Sequence, residues 1–297
     1  MPPAELRYSV RVTLRLSLVI PVYNEEHYIG ACLEAVTRQI RLPDEVIVVD
    51  NGSTDASRSV IDGFVGRLQM TVLSESRQGA MYARDAGFDA ATGEVIGRID
   101  ADTLLDPHWC ERVEQYIESD PELDAIAGSQ FFYELPWKRL QERQRTAALD
   151  TYMNTEPSVT DALSGNNMAI RKTAWEKAKP HLVGRADLHE DMDLSMALKK
   201  SSALLWYAPR VFADVSARRF RSSRKELLQY GRTMMDTAVA HDDQELVNAL
   251  KKNKYAIGLN FAILWAIEQN YDPDKDRIVP FFLRKDKKER VSPVAIP

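Results

Sequence analysis

The sequence predicts an α/β fold built on a mainly parallel central sheet. Two observations carry that prediction. Short β-branched runs alternate with helical segments of about 10–15 residues as far as Gln130, the pattern of successive βαβ units. The runs also finish in polar residues, at Asn24-Glu25, Asp50 and Asp100, so the polar groups share the rim where open parallel sheets bind ligands.

Residues 1–13 read as a loose leader. They lack a basic stretch followed by an apolar core, so no signal peptide is expected. Residues 14–20 alternate and then turn wholly apolar, which suits a buried strand that Pro21 ends. A helix follows over about 25–39, with Ile29, Leu33 and Val36 on one face. Residues 45–50, EVIVVD, form the second strand on their β-branched content. Ser53 or Thr54 caps a helix that runs to about Val65. Residues 70–73 make a third strand, 79–90 a helix and 94–100 the fourth strand. Asp106-Pro107 opens a helix that lasts to about Ser119, with Asp as cap and Pro in the first turn. Residues 124–128 are a fifth strand.

The pattern then changes. A long polar helix is expected over 137–154, a mixed glycine and amide segment over 162–171, and a helix over 191–200. A strand over 203–208 is expected to stop at Pro209. From Arg224 onward Leu227, Leu228, Met234, Met235 and Ala238 follow the helical period, giving a helical C-terminal extension over 222–297. Its tail from Asp272 is rich in Asp, Lys, Arg and Pro.

Composition excludes several classes. The chain of 297 residues is 44% hydrophobic and 28% charged, as a globular protein is. A formal net charge of −5 argues against nucleic acid as a partner. Cys32 and Cys110 fall in helices outside any CxxC pair, so a disulfide framework is not expected and a reducing, cytoplasmic setting fits. No apolar run approaches the roughly 20 residues of a spanning helix. The nearest, 255–267, is broken by Gly258 and Asn260.

Seven clusters carry candidate chemistry. Asp100-Ala101-Asp102 ends the fourth strand, where alternate side chains point the same way. Two carboxylates aimed at one point suit Mg²⁺ or Mn²⁺ with phosphate oxygens completing the shell. Pro21-Val22-Tyr23-Asn24-Glu25-Glu26 offers backbone groups and Glu25 to a ribose or base. Asp50, after the second strand, offers an acceptor to a base edge. Arg84 lies on the helix facing the same rim, where a guanidinium would meet phosphate. Gly165-Asn166-Asn167 supplies small residues and amides to an acceptor pocket. Glu190-Asp191 starts a helix, as a general base would near a diphosphate. Arg218-Arg219 forms a basic spot in an acidic chain. Taken singly, each also has an ordinary reading as a cap, a turn, a bulged strand or a solvated ion pair.

The order of the pieces changes their weight. "PVYNEE", "VVDNGSTD", "ARDAG", "DAD", "GNNMAIR" and "HEDMDLSMAL" follow one another as in the family 2 glycosyltransferases, and over residues 14–221 the chain resembles that family. The resemblance implies a GT-A type, Rossmann-like domain with a nucleotide-binding half (14–130) and an acceptor half (131–221). It implies an inverting, metal-dependent transferase of hexosyltransferase type, with Mn²⁺ or Mg²⁺ as cofactor. A UDP-sugar is the favoured donor, with GDP- and dTDP-sugars as alternatives, and a saccharide or lipid-linked hydroxyl is the acceptor. By position, the resemblance assigns Pro21, Val22, Tyr23, Glu25, Asp50, Arg84 and Ala101 to nucleotide-sugar binding. It assigns Asp102, with Asp100, to the metal, and Asp191, with Glu190 beside it, to catalysis. Arg218 and Arg219 would meet the diphosphate.

Two departures stand out. The family's usual DDGS reads Asp50-Asn51 here, so one carboxylate is missing. The QxxRW motif and membrane spans of the processive synthases are absent from this sequence, which points to addition of a single sugar. Other readings stay open on sequence alone. A nucleotidyltransferase would want a glycine- and arginine-rich loop after the first strand. A retaining transferase would be favoured by His189 or His241 as a further metal ligand. A silent sugar-nucleotide-binding scaffold should have lost Asp102 or Asp191. Basic-flanked C-terminal helices also suit peripheral contact with the inner face of a membrane.

Overall fold

The computed structural model describes residues 14–133, 138–222, 224–272 and 277–279. The expected leader and most of the expected charged tail lie outside the described residues. The first half alternates as the sequence requires. It runs β1 (Leu16–Val22), α1 (Ile29–Thr37), β2 (Glu45–Asp50), α2 (Ser57–Asp62), β3 (Met70–Ser74), α3 (Ala80–Ala90) and β4 (Val95–Arg98). Next come β5 (Leu104–Leu105), α4 (Trp109–Ser119) and β6 (Leu123–Tyr133). The second half holds α5 (Lys138–Met153), β7 (Ser158–Val159), β8 (Met168–Arg171), α6 (Lys172–Ala178), α7 (Glu190–Lys200) and β9 (Leu204–Ser216). Two long helices, α8 (Arg224–Ala240) and α9 (Gln244–Asn270), and a small ribbon of β10 (Tyr271–Asp272) with β11 (Arg277–Ile278) follow.

The main sheet is ordered β3-β2-β1-β4-β8-β6-β9-β5, with β7 paired to β9. The first four strands are parallel. β8 enters antiparallel between β4 and β6. Side-chain alternation along each strand feeds two cores, one on each face. Leu18, Ile20, Val46 and Val48 join the layer covered by α1 and α4. Val19, Ile47, Val49 and Ile96 join the layer covered by α3, α6 and α7. Helix α3 sits so close that a Cβ on Gly87 would fall 2.3 Å from a Val19 methyl.

Several elements depart from expectation. β9 does not stop at Pro209 but continues to Ser216, in parallel pairing with β6. The register jumps from Gly128↔Ala208 to Ser129↔Phe212. That bulge places Pro209, which has no N–H to donate, where the ladder asks for none. α1 begins at Ile29 rather than near Glu25, because a separate turn at Glu25 precedes it. α2 begins at Ser57, whose N–H bonds to Asp55 Oδ1, so Asp55 supplies the bond expected of Ser53 or Thr54. Helix α6 had no counterpart in the sequence reading. Cys32 and Cys110 are buried free thiols, as expected.

Candidate active site

Two of the loops at the rim zip together. Asn24 takes a left-handed backbone (φ 54°), a conformation an asparagine tolerates. Its Oδ1 accepts the Thr54 N–H at 2.8 Å, and its own N–H bonds to Ser53 Oγ at 3.1 Å. The Glu25 N–H reaches Ser57 Oγ at 2.6 Å, and the Glu26 N–H reaches Asp55 Oδ2 at 3.1 Å. The polar residues of "YNEE" and "NGSTD" are therefore spent largely on holding each other. Asp50 sits beside Val22 in the β1–β2 register and accepts the Ser53 N–H at 2.9 Å.

Asn51 explains the departure from DDGS. Its Nδ2 donates to the carbonyls of Glu75 (3.0 Å) and Arg77 (2.7 Å), and its Oδ1 accepts the Gly79 N–H at 2.8 Å. Only an amide donates and accepts in this way. The side chain fastens the 75–79 loop beneath the rim.

A cleft opens above these loops, enclosing about 990 Å³ of empty space that includes the open solvent at its mouth. Its wall includes Pro21, Val22, Tyr23, Glu25, Asp100, Ala101, Asp102, Glu190, Asp191, Arg218 and Arg219. Residues from β1, the turn after β4, the start of α7 and the turn after β9 thus meet at one place. Asp100 and Asp102 do not alternate along a strand. β4 ends at Arg98, and a turn closed by the Thr103 N–H to the Asp100 carbonyl presents both carboxylates.

Charges inside the cleft are heavily paired. Arg98 is 3% exposed and donates to Asp191, Glu190 and, at 3.0 Å, Asp100. Arg218 donates its Nε to Asp102 Oδ2 at 2.6 Å and its Nη2 to Glu25, and it stacks 4.2 Å over the Tyr28 ring. Burial opposes charge on Asp191, but Arg98, with help from the Gly165 N–H, outweighs it and holds the carboxyl down at about 2. Burial, only partly opposed by Arg98, lifts Glu190, and the Asp191 charge adds to the rise. Asp191 is therefore the more readily ionised member of the pair. Asp100 is raised by burial against the pull of Arg98, with Asp102 and Asp191 adding repulsion.

Several expected ligand contacts lie elsewhere. Arg84 is fully buried and is absent from the cleft wall. It pairs with Asp85 and donates to the Glu190 carbonyl at 2.6 Å and carboxylate at 3.1 Å, so it pins the start of α7. Asn167 is also buried. It donates to the Ser129 and Val211 carbonyls at 2.7 and 3.0 Å and accepts the Trp109 indole N–H at 2.7 Å, bridging β6, β9 and α4. Both of its N–H groups are used, and it has no exposed surface to offer an acceptor. Asn166 bonds to Ser164 and Gln130. Gly165 lies behind the Arg98–Asp191 pair, where a Cβ would fall 1.1 Å from Arg98 Nη1. His189 bonds to Tyr230 and His241 to Asp193, so neither imidazole stands with Asp102. The sequence reading gave no site role to the wall residues Asn51, Met81, Tyr230 and Thr233, nor to Arg98.

The donor set of the cleft suits a divalent cation only where other oxygens complete the shell. Among the described residues, no three Asp, Glu, His or Cys side chains converge on a metal position. Sites that hold a cation between a diphosphate and one or two carboxylates do not need three. Asp102 and Asp100 on the wall fit that smaller role, with Asp102 now shared with Arg218.

The description that matches this sequence is "Glycosyl transferase family 2", over residues 17–178, more than half of the chain. The chain belongs to that family. This family 2 glycosyltransferase is 27% identical over 225 residues to glycosyltransferase AglE of Haloferax volcanii, covering 71% of this chain and 73% of AglE. It is 36% identical over 102 residues to the putative glycosyltransferase EpsH of Bacillus subtilis, covering 34% of this chain. That match spans only 30% of EpsH. Solved structures share its GT-A architecture. TarS of S. aureus in complex with UDP superposes with a TM-score of 0.61 at 16% identity, covering 82% of this chain and 72% of that one. The mannosyltransferase PcManGT of Pyrobaculum calidifontis in complex with GDP-Man and Mn²⁺ gives 0.56 at 19%, covering 89% and 83%. Among the described residues, no helix is long and apolar enough to cross a membrane.

Proposed function

We propose that this glycosyltransferase moves a single sugar from a nucleoside diphosphate donor to an acceptor hydroxyl, with inversion at the anomeric carbon. The observation that carries the reading is the meeting of ionised Asp191 with Asp100 and Asp102 in one cleft. UDP and GDP-Man in the structural neighbours support a nucleotide-sugar donor, with a UDP-sugar favoured. The 14–130 half would grip the nucleotide, and the 131–221 half would shape the acceptor side.

Asp191 takes the proton of the acceptor hydroxyl as its oxygen attacks the sugar from the face opposite the diphosphate. A base in this position is worth about 10²–10⁴-fold. Glu190 beside it has its carboxyl raised to about 7, which limits repulsion in the pair. Arg218 and Arg219 lie on the wall where the diphosphate would gain charge. Mn²⁺ or Mg²⁺ held by Asp102, with Asp100, would neutralise the departing diphosphate. The acceptor is a saccharide or a lipid-linked hydroxyl. The exposed Leu228, Val239 and Ile263 of α8 and α9 support peripheral contact with the inner face of a membrane by a cytoplasmic protein.

The test has two stages. UDP-, GDP- and dTDP-sugars are screened for thermal stabilisation, since a ligand of the folded state raises its melting point. Transfer is then assayed with wild type and Asp191→Asn. The variant should bind donor normally and lose transfer, and the NMR spectrum of the wild-type product should show the inverted anomer. Near-normal turnover in Asp191→Asn would sink the assignment.

A further inference from the structure

Arg98 is the most heavily engaged side chain of the cleft, and nothing in the proposed reaction yet uses it. Its backbone is fixed on both sides, opposite Val19 of β1 and Met168 of β8. Its guanidinium is nearly sealed from water, yet it meets three carboxylates: Asp100 on the turn after β4, and Glu190 and Asp191 in the first turn of α7. A third segment makes room for it. A Cβ at position 165 would lie 1.1 Å from Arg98 Nη1 and 2.2 Å from Asp191 Oδ1, so no side chain fits there while the pair is intact. A planar, permanently charged fork is the group that can hold several carboxylate oxygens in fixed relation.

We infer that Arg98 is a positioning residue for sugar transfer: it holds the Asp191 carboxylate at the cleft wall and ties it to Asp100. The inference rests on the reading of Asp191 as the base. Arg98 acts through that carboxylate. Its loss therefore affects the chemical step and leaves the grip on the donor.

The experiment compares Arg98→Lys, Arg98→Met and Gly165→Ala with wild type. It measures transfer kinetics with the best stabilising nucleotide sugar, donor affinity by calorimetry, and melting temperature. Misplacing a catalytic group by about 1 Å costs about 10²-fold. Arg98→Met should lose about that much in kcat, with donor Kd and KM within about threefold. Arg98→Lys keeps a charge but not the fork, so it should recover roughly tenfold of the loss and remain below wild type. Gly165→Ala pushes the guanidinium off Asp191 without changing charge and should lower kcat in the wild type. In the Arg98→Lys background it should cost little, because contacting residues are energetically coupled. If Arg98→Met or Gly165→Ala fails to fold, Arg98→Lys decides. Wild-type turnover in any folded variant overturns the inference, and so does a donor affinity that falls in step with kcat. Asp191→Asn in the same assay separates the two claims. If it stays active, the base assignment fails and this inference falls with it. If it is dead while the Arg98 variants turn over normally, the positioning role alone fails.

Discussion

Arg218 reaches across 116 positions of sequence to place its Nε 2.6 Å from Asp102 Oδ2. Its other arm holds Glu25, and although burial works against its charge, both carboxylates outweigh it and keep the guanidinium charged. A guanidinium thus shares the carboxylate best placed for a divalent cation. Arg218→Ala removes one partner of a mostly buried pair, which costs about 3 kcal/mol. The melting temperature should fall, and Mn²⁺ alone should restore part of the loss while leaving wild type almost unmoved. Equal Mn²⁺ shifts in the two proteins would mean that arginine and cation do not compete for Asp102. Calorimetry should also show weaker UDP binding by the variant.

Glu190 sets a pH dependence of opposite sign to that of most carboxylates. Burial, resisted by Arg98 and reinforced by Asp191, raises its carboxyl to about 7 from an ordinary value of 4.5. Between these values the folded protein binds more protons than the unfolded chain, so stability falls as pH rises through that window. The size is on the order of 3 kcal/mol at about 1.4 kcal/mol per unit. Asp191 works the other way in a separate window. Its contribution is complete above 3.8 and is lost as pH falls toward about 2. Urea unfolding at pH 5 and pH 7.5 should show wild type losing more stability across the step than Glu190→Gln, which keeps the neutral shape. Parallel behaviour of the two proteins would place Glu190 in its ionised form throughout.

Asn51→Asp restores the family's usual second carboxylate and should nevertheless harm the protein. The carboxylate cannot donate to the Glu75 and Arg77 carbonyls, and it turns two bonds into repulsions. A loss of about 2–3 kcal/mol is expected in urea unfolding, with weaker nucleotide binding as the 75–79 loop loosens. A variant as stable as wild type would show that the loop is anchored elsewhere.

This position also marks how far the sequence could be read. β1 to β4 were legible because their apolar runs are local and each finishes near a polar residue. So was the convergence on one rim of the Pro21–Glu25 segment and Asp100–Asp102. The partners of Arg84 and Arg98 were not legible, since Glu190 and Asp191 lie 106 and 93 positions away. Arg84 therefore read as a phosphate ligand, although its guanidinium is taken up by Asp85 and by the start of α7. Asn167 misled for a similar reason. A buried amide closing a strand bulge looks, in sequence, like an amide offered to a sugar. Pro209 read as the end of a strand because the register jump that admits it belongs to two strands at once.

Asn167→Ala tests that correction directly. It leaves the Ser129 and Val211 carbonyls and the Trp109 indole N–H without their partner. The cost should be about 2–4 kcal/mol, since each unsatisfied buried group costs about 1–3 kcal/mol and some relaxation is available. The folded fraction should keep the donor affinity of wild type and its KM for the acceptor. A selective rise in acceptor KM at full stability would return Asn167 to the acceptor pocket.

Helix α8 is bound to α7, the helix of the proposed base, through buried polar contacts. His241 at the end of α8 places Nε2 2.6 Å from Asp193 Oδ1, with both side chains almost wholly buried. Asp193 lies two positions beyond Asp191 and also accepts the Val183 N–H at 3.0 Å. Thr237 accepts the His189 N–H at 2.8 Å, and Tyr230 meets the His189 ring at 2.7 Å. α8 therefore braces the first turn of α7 from outside, just where the proposed base sits. His241→Ala empties this contact and leaves Asp193 short of its strongest partner, a change expected to cost about 2–4 kcal/mol. Turnover should fall along with stability, because α7 loses its brace. Donor affinity should hold, because Tyr23, Glu25 and Asp102 lie on other elements. Measurements of urea midpoint, kcat and donor Kd on one variant separate these effects. A His241→Ala protein with normal stability and normal kcat would show that α8 and α9 are an appendage to the site.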